Sequence, residues 1–447
     1  MNFQFPLLRA TLVLACPALS VPVANAADST AHPSPLPHAA APARGNGGPV
    51  VRAPTGHVSN YDESKVGTYV LPDPLTLADG RPVRDAADWF KLRRPELLNL
   101  YRTRIYGRVP ARAPGVTFTV IGSTHVMNGL AIRKHVVARF GDRPDGPRAN
   151  LVLYLPAQAT GPVPALLHLT FFGDPSLNAS PTNTLKGTPP HSRFNELGPI
   201  ADILKRGYGY AVVRYTEIQP DARGTWQKGV IGLALSPGQN KPAPDEWGAI
   251  SAWAWGASRM LDYLEQEPAV DGRRVALIGH SRLGKAVLWA GAQDPRFAMV
   301  FSSCSGEMGA ALARRDYGET VDDMAAHFPW QFAGNFQKYS GHWSQLPVDA
   351  HLLIALNAPH PVFITGGTGD QWADPRGEFL AEAAAGPVYR LLGRQDLGTT
   401  RMPPPDTPLM AGDLAFNYHT GGHRITDAEW KLFLDYADRY LKPAPQK

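Results

Sequence analysis

The chain has 447 residues, of which 44% are hydrophobic and 19% charged, and its formal net charge is +5. This surplus of positive charge is mild for the length, and the sequence contains no long Lys/Arg run. We therefore expect no nucleic-acid partner. Beyond the N-terminal region, no segment is apolar over the length needed to cross a bilayer, so we expect no membrane span. We also expect no metal or cofactor, because no metal-ligand or phosphate-loop motif occurs.

The N-terminal region predicts two segments that lie outside the catalytic domain. Arg9 precedes an apolar run over 11–19 and a small-residue site that ends at Ala26. This order is typical of a signal peptide, residues 1–26, cleaved near Ala26, so we expect a secreted or periplasmic protein. Residues 27–56 are rich in Ala, Pro, Gly and Ser and predict a flexible leader, because they hold few large apolar side chains.

The remaining residues, 57–447, are interpreted as one catalytic domain, and we expect it to be a monomer. Cys16 lies in the predicted signal peptide, where its context faintly resembles a lipoprotein box. If Cys16 is removed, Cys304 is the only cysteine of the mature protein, so no intramolecular disulfide can form.

The periodicity of apolar residues predicts an α/β fold. A helix is indicated between 85 and 101, with a break or first turn at Pro95, and three strands follow before strands and helices alternate. Such alternation is typical of a three-layer sandwich, a mostly parallel sheet covered by helices on both faces. The strands are predicted at 116–121, 132–140, 151–155, 164–170, 210–215, 274–278, 298–302 and 361–366, and further helices at 247–265, at 285–292 and after the capping box at 426–429.

The motif with the clearest chemistry is G-H-S-R-L-G-K at residues 279–285, between a predicted strand and a predicted helix. A serine at such a turn has an exposed hydroxyl, as in the nucleophile elbow of esterases and lipases. The usual elbow reads G-x-S-x-G, whereas here Leu283 follows the arginine and Gly284 comes one place later. Ser281 is therefore the candidate nucleophile.

The form G-x-S-R-x-G-K resembles the signature of the glucuronoyl esterases, carbohydrate esterase family 15 of the α/β-hydrolase superfamily. The resemblance extends from about Val58 to Leu441 and includes segments 61–67, 304–307 and 370–375. It implies a secreted serine esterase that hydrolyses the ester bonds between the 4-O-methyl-D-glucuronic acid of glucuronoxylan and lignin alcohols.

A histidine base and an acid should follow the serine in chain order on this fold. His423 is the expected base, because Gly421 and Gly422 allow a close approach of the backbone and the resemblance places the base just before the last helix. We expect His419 to be a loop histidine that is hydrogen-bonded to the backbone.

The position of the acid leaves two candidates. In fungal members of the family the acid directly precedes Ser-Gly, where this chain has Cys304, and a thiol cannot replace a carboxylate. The resemblance then points to the position used by some bacterial members, which is Asp370 here. Glu307 is the alternative acid, although a helix over 307–315, capped by Ser305, would explain that glutamate equally well.

The remaining expected site residues surround the serine. Arg282 should offer its backbone N–H and, as the resemblance implies, its guanidinium to the developing oxyanion. A second backbone donor is expected within 171–173. The resemblance also implies that Lys285, Glu319 and Trp372 hold the hydroxyls of the sugar.

Other functions stay open at this point. Segment 328–332, Phe-Pro-Trp-Gln-Phe, departs from the His-Trp-Phe order usual in the family, which puts the contacts there in question. An acetyl or feruloyl xylan esterase or a general carboxylesterase would need the elbow but not Lys285 and Glu319. An inactive hydrolase fold that binds carbohydrate is a more remote alternative.

Overall fold

A computed structural model describes residues 50–177 and 196–442 of the chain. The predicted signal peptide and residues 27–49 of the predicted leader lie outside the described residues. Residues 50–56, the end of the predicted leader, are described: Arg52 forms a β-bridge with Val58, and Ala53 is buried. All described residues fall in one compact unit.

In the described part of the chain, nine strands form a single sheet in the order β1-β2-β3-β5-β4-β6-β7-β8-β9. The first three strands pair antiparallel, β3 pairs antiparallel with β5, and all pairs from β5 to β9 are parallel. Every residue of β4 is buried, as expected for a parallel strand covered on both faces. The strands are β1 Val116–Val126, β2 Ala131–Phe140, β3 Arg148–Pro156, β4 Val163–Thr170, β5 Gly209–Arg214, β6 Val270–His280, β7 Met299–Ser303, β8 Val362–Gly367 and β9 Leu414–His419.

Helices cover both faces of the sheet. They are α1 Ala86–Asp88, α2 Arg94–Leu100, α3 Ile200–Lys205, α4 Tyr215–Ile218, α5 Val230–Leu233, α6 Ala249–Gln266, α7 Arg282–Gln293, α8 Val321–His327, α9 Ala350–Ala355, α10 Pro375–Leu391 and α11 Asp427–Leu441. Within the described ranges, no helix is both long and apolar enough to cross a membrane.

Successive strand residues point to two separate cores. Leu167 and Leu277 join a large core that includes side chains of α6, α7, α9 and α10. Leu166 and Ile278 join a smaller core with side chains of α3 and α11. This period of two gives each parallel strand an apolar contact on both faces, and it confirms the predicted three-layer α/β sandwich.

Two sequence interpretations have different outcomes. Of the break or first turn expected at Pro95, the first turn is confirmed: Pro95 lies in the first turn of α2, where a missing N–H is tolerated, and π-helical turns at Trp89–Arg93 and Tyr101–Ile105 flank this helix. The helix over 307–315 that would have explained Glu307 does not form. Glu307 instead forms a β-bridge with Ala311, and only a 3₁₀ turn at 313–315 is helical.

Candidate active site

Ser281 lies on a strained turn between β6 and α7, at the carboxyl end of the parallel strands. Its backbone has φ 58° and ψ −131°, a conformation that non-glycine residues rarely adopt. A Cβ at Gly279 would lie 2.3 Å from the carbonyl oxygen of Leu283, and a Cβ at Gly284 would lie 2.8 Å from Ser305 Cβ and 2.9 Å from Ser302 Oγ. The two glycines therefore allow the turn to close and α7 to lie against β7.

Asp370 and His423 come together at the ends of the next two strands. Asp370 follows β8 and His423 follows β9, and Asp370 Oδ2 lies 2.6 Å from His423 Nδ1. The Asp370 side chain is 6% exposed and that of His423 is 42% exposed. A Cβ at Gly367 would lie 2.7 Å from the oxygen of Gly422, so a glycine in β8, besides the two beside His423, allows this close approach.

His280, the residue before Ser281, contacts His423, which therefore lies beside the elbow. The two imidazole rings lie 4.4 Å apart between centroids. Burial, followed by the charge of His423, lowers the pKa of His280 well below its ordinary value, so His280 is neutral. Ser281 Oγ forms no hydrogen bond with any described residue, and a serine–histidine bond often forms only once a substrate is bound.

Cys304 lies next to this pair. Its sulfur, a carboxylate oxygen of Asp370 and a ring nitrogen of His423 all lie within 4.8 Å of one another. Burial, followed by the charges of Asp370 and Glu378, raises the pKa of the thiol well above its ordinary value. The sulfur is therefore a neutral thiol beside the acid and does not supply a negative charge to the histidine.

Glu307, the alternative acid, points elsewhere. It is buried, one of its carboxylate oxygens has no hydrogen-bond partner among the described residues, and it forms no contact with His423 there. Burial, followed by the charge of Asp349, raises the pKa of Glu307 well above its ordinary value. The Ser305 hydroxyl accepts a hydrogen bond from the amide of Ala310, so Ser305 closes a loop instead of capping a helix.

His419 also differs in part from expectation, because it is the last residue of β9 and not a loop residue. Its Nε2 does contact a backbone carbonyl, that of Gly422 at 3.1 Å, while its Nδ1 lies 2.7 Å from Glu429 Oε1. Although burial lowers the pKa of His419, hydrogen bonding to Glu429 and the charge of that residue raise it overall. His419 thus connects the loop before His423 to the first turn of α11.

Arg282 begins α7 directly after the serine. Its Nη1 lies 2.5 Å from Asp221 Oδ2, and its guanidinium carbon lies 5.9 Å and 5.1 Å from the ring centroids of Phe171 and Phe328. As the first residue of α7, it has a backbone N–H without an intrahelical acceptor. The sequence did not indicate Asp221, because that residue is 61 positions away along the chain.

The loop after β4, near which a second oxyanion donor is expected, has amides that are hydrogen-bonded to side chains. The amides of Phe171 and Phe172 donate to the carboxylate of Glu196, and the amide of Gly173 donates to the Thr170 hydroxyl. Burial raises the pKa of Glu196 to about 7, although the hydrogen bonds from these amides oppose it. These amides are therefore bonded to the side chains of Glu196 and Thr170, and a second oxyanion donor near 171–173 stays a prediction.

Lys285, Glu319 and Trp372 form one connected cluster. Lys285 Nζ lies 3.2 Å from Glu319 Oε2, and Trp372 Nε1 donates to Glu319 Oε1 at 3.1 Å. The Lys285 and Glu319 side chains are 5% and 10% exposed. Since Ser281 and Lys285 are one helical turn apart in sequence, the cluster lies close to the elbow.

The sheet order, the elbow at the end of a parallel strand and the carboxylate–histidine pair beside it define an α/β-hydrolase. The family profile described as glucuronyl esterase of fungi matches residues 242–393. Carbohydrate esterase MZ0003, from an unknown prokaryotic organism, is 38% identical over 400 residues, which are 86% of this chain and 92% of that protein.

Two further glucuronoyl esterases are similar to this chain over most of its length. The 4-O-methyl-glucuronoyl methylesterase of Phanerochaete carnosa is 30% identical over 338 residues, 73% of each chain. The solved glucuronoyl esterase of Solibacter usitatus is 42% identical, with a TM-score of 0.79 over 85% of this chain and 100% of that one. The chain belongs to the glucuronoyl esterase family, carbohydrate esterase family 15, and is a carboxylic ester hydrolase.

Proposed function

We propose that the chain is a secreted serine esterase that cleaves the ester between 4-O-methyl-D-glucuronic acid of glucuronoxylan and a lignin alcohol. The observation that carries this proposal is the 2.6 Å contact between Asp370 and His423 next to the elbow of Ser281. The polar cluster of Lys285 and Glu319 supports a sugar acid as the acyl part.

In the proposed reaction Ser281 Oγ attacks the ester carbonyl while His423 Nε2 accepts its proton. Asp370 keeps the other ring nitrogen of His423 protonated and stabilises the imidazolium that forms. Arg282 stabilises the oxyanion with its backbone N–H and guanidinium. The imidazolium then protonates the departing alcohol, and water, activated by His423, releases the glucuronate from the acyl-enzyme.

Binding of the sugar is proposed for Lys285, Glu319 and Trp372. Lys285 and Glu319 are nearly buried and already paired, so a sugar hydroxyl would complete the hydrogen bonding that their pair leaves open. A plain acetate ester offers no such hydroxyl. Sites built to hydrogen-bond a substrate group reject analogues that lack it by orders of magnitude.

The first experiment compares hydrolysis of benzyl glucuronate and 4-nitrophenyl acetate by the wild type and by Ser281→Ala. We expect the wild type to prefer the glucuronate ester despite its poorer leaving group. Ser281→Ala should lose both activities by about 10⁴-fold or more while its circular dichroism spectrum is unchanged. Turnover close to wild type by folded Ser281→Ala would contradict the serine mechanism.

Lys285→Ala and Glu319→Ala provide the matched variants for specificity. Each should weaken hydrolysis of the glucuronate ester and spare the weak acetate activity, because neither residue carries out the chemistry. Equal losses on both esters, or a wild type that prefers acetate or feruloyl esters, would favour a general carboxylesterase instead. N-terminal sequencing of the exported protein tests secretion, with cleavage near Ala26 expected.

A further inference from the structure

Asp221 is a buried carboxylate that gathers four donors beside the elbow. Its side chain is 4% exposed. Oδ2 accepts hydrogen bonds from Arg282 Nη1 at 2.5 Å and from the Tyr215 hydroxyl at 2.9 Å. Oδ1 accepts from Trp330 Nε1 at 2.7 Å and from Gln331 Nε2 at 2.8 Å. Each carboxylate oxygen is therefore fixed by at least one donor other than Arg282.

Asp221 and Arg282 each favour the charged form of the other. Burial opposes ionisation of Asp221, but the charge of Arg282 and the hydrogen bonds from Gln331 and Trp330 outweigh it, so the pKa of the carboxyl lies below its ordinary value. In the same way the carboxylate raises the pKa of Arg282 against the effect of burial. Both side chains are therefore charged throughout the neutral range.

The guanidinium of Arg282 forms a hydrogen bond through one nitrogen and contacts two aromatic rings. The rings of Phe171 and Phe328 lie within 6 Å of its carbon, which is the range of cation–π contacts. Apart from Asp221, no described residue accepts a hydrogen bond from this guanidinium, and its side chain is 30% exposed. The remaining donors are available to a substrate oxygen beside Ser281.

We propose that Asp221 is a positioning residue, which holds the Arg282 guanidinium so that its free donors meet the oxyanion formed at Ser281. This inference rests on the serine mechanism proposed above but not on the identity of the sugar, because every ester forms an oxyanion. It also gives a role to the unusual segment 328–332: Trp330 and Gln331 fix Asp221, and Phe328 lies against the arginine.

A double-mutant cycle of Asp221→Asn and Arg282→Ala tests this role. Alone, Asp221→Asn should lower kcat roughly 10- to 100-fold with little change in KM, less than the 10²- to 10³-fold loss typical when an oxyanion donor is removed. In the Arg282→Ala background, Asp221→Asn should not lower kcat further. It should raise kcat if it changes at all, because an unpaired buried carboxylate would repel the developing oxyanion.

Asp349→Asn is the control for the loss of a buried Asp–Arg pair. Asp349 is fully buried and contacts Arg314 at 3.1 Å, and among the described residues its carboxylate forms no hydrogen bond with Ser281, Arg282 or His423. This control should lower the unfolding midpoint but leave kcat unchanged. If Asp221→Asn folds poorly, Gln331→Met serves in its place, since it removes one donor to Asp221. Gln331→Met should lower kcat a few-fold, less than Asp221→Asn does. This loss should likewise be absent in the Arg282→Ala background.

The possible outcomes separate this inference from the proposed function. Equal fold-losses of kcat in the wild-type and Arg282→Ala backgrounds, with Ser281→Ala inactive, would overturn the role of Asp221 alone. A loss confined to KM would overturn it too, because a donor that acts on the oxyanion changes kcat. Activity of Ser281→Ala would overturn the serine mechanism and the positioning role together.

Discussion

Asp370 is the residue on which the proposed triad depends. Its carboxylate contacts His423 Nδ1 but none of the residues of the polar cluster. Asp370→Asn should therefore lower kcat by about 10⁴-fold, as for the equivalent change in other triads, while KM changes little. Steady-state kinetics on benzyl glucuronate provide the measurement.

Glu307→Gln is the matched control for this prediction. Burial raises the pKa of Glu307 well above its ordinary value and so favours its neutral form, and Gln preserves the shape of that form, so we expect a mild effect on kcat. A severe loss in Glu307→Gln together with a mild one in Asp370→Asn would transfer the acid to Glu307. Such a result would also require the loop over 307–315 to rearrange when a substrate is bound.

At the scale of elements, the contact between α7 and β7 positions Ser281, the proposed nucleophile. A Cβ at Gly284 would lie 2.8 Å from Ser305 Cβ and 2.9 Å from Ser302 Oγ. Gly284→Ala should therefore displace the start of α7 and lower the free energy of unfolding by about 1–3 kcal/mol, the usual cost of overpacking. Because Ser281 and Arg282 begin this helix, kcat should fall as well.

Gly161→Ala is the control for Gly284→Ala. A Cβ at Gly161 would meet no atom within 4 Å, and its φ is not in the left-handed region. Urea denaturation should show an unchanged or slightly higher unfolding midpoint for this variant. If Gly284→Ala is as stable and active as Gly161→Ala, then α7 and β7 are not as tightly constrained as their contact indicates.

Elements and site residues that depend on local pattern were predictable from the sequence. The parallel strands other than β9, together with α6, α7 and α11, follow from apolar periodicity, and the elbow follows from its motif. Contacts between distant segments were not predictable: Glu196 binds amides 24 and 25 positions away, and Asp221 binds an arginine 61 positions away. The sequence analysis missed the 17-residue α10, which contains Pro387, and it missed β9. In segment 307–315 the amide of Ala310 donates to the Ser305 hydroxyl and that of Ala313 to the Asp349 carboxylate, a distant residue in sequence.

At the scale of the whole molecule, buried carboxyls govern how stability depends on pH. Glu382 is fully buried, and burial raises its pKa well above its ordinary value. At low pH both the folded and the unfolded states hold its proton. As the pH rises above about 4.5, the unfolded chain releases that proton while the folded protein keeps it. Each such group therefore lowers the free energy of unfolding with rising pH.

Glu382→Gln should remove this contribution. Between pH 5 and 6 the free energy of unfolding of the wild type should fall, relative to that of the variant, by up to about 1.4 kcal/mol. Urea denaturation at the two pH values measures the difference. Asp427→Asn, which replaces an exposed carboxylate in the first turn of α11, should leave the pH dependence close to that of the wild type. Parallel pH profiles for Glu382→Gln and the wild type would contradict the prediction.

Cys304 offers a way to measure how often the proposed catalytic centre opens. The thiol is buried beside Asp370 and His423, and it is the only cysteine among the described residues. A thiol reagent reacts with an exposed thiolate, so labelling requires β7 and β8 to separate from the histidine loop. In a protein that lacks residues 1–26, the labelling rate therefore measures local opening at the triad, without any introduced probe, and a ligand that closes the site would slow it.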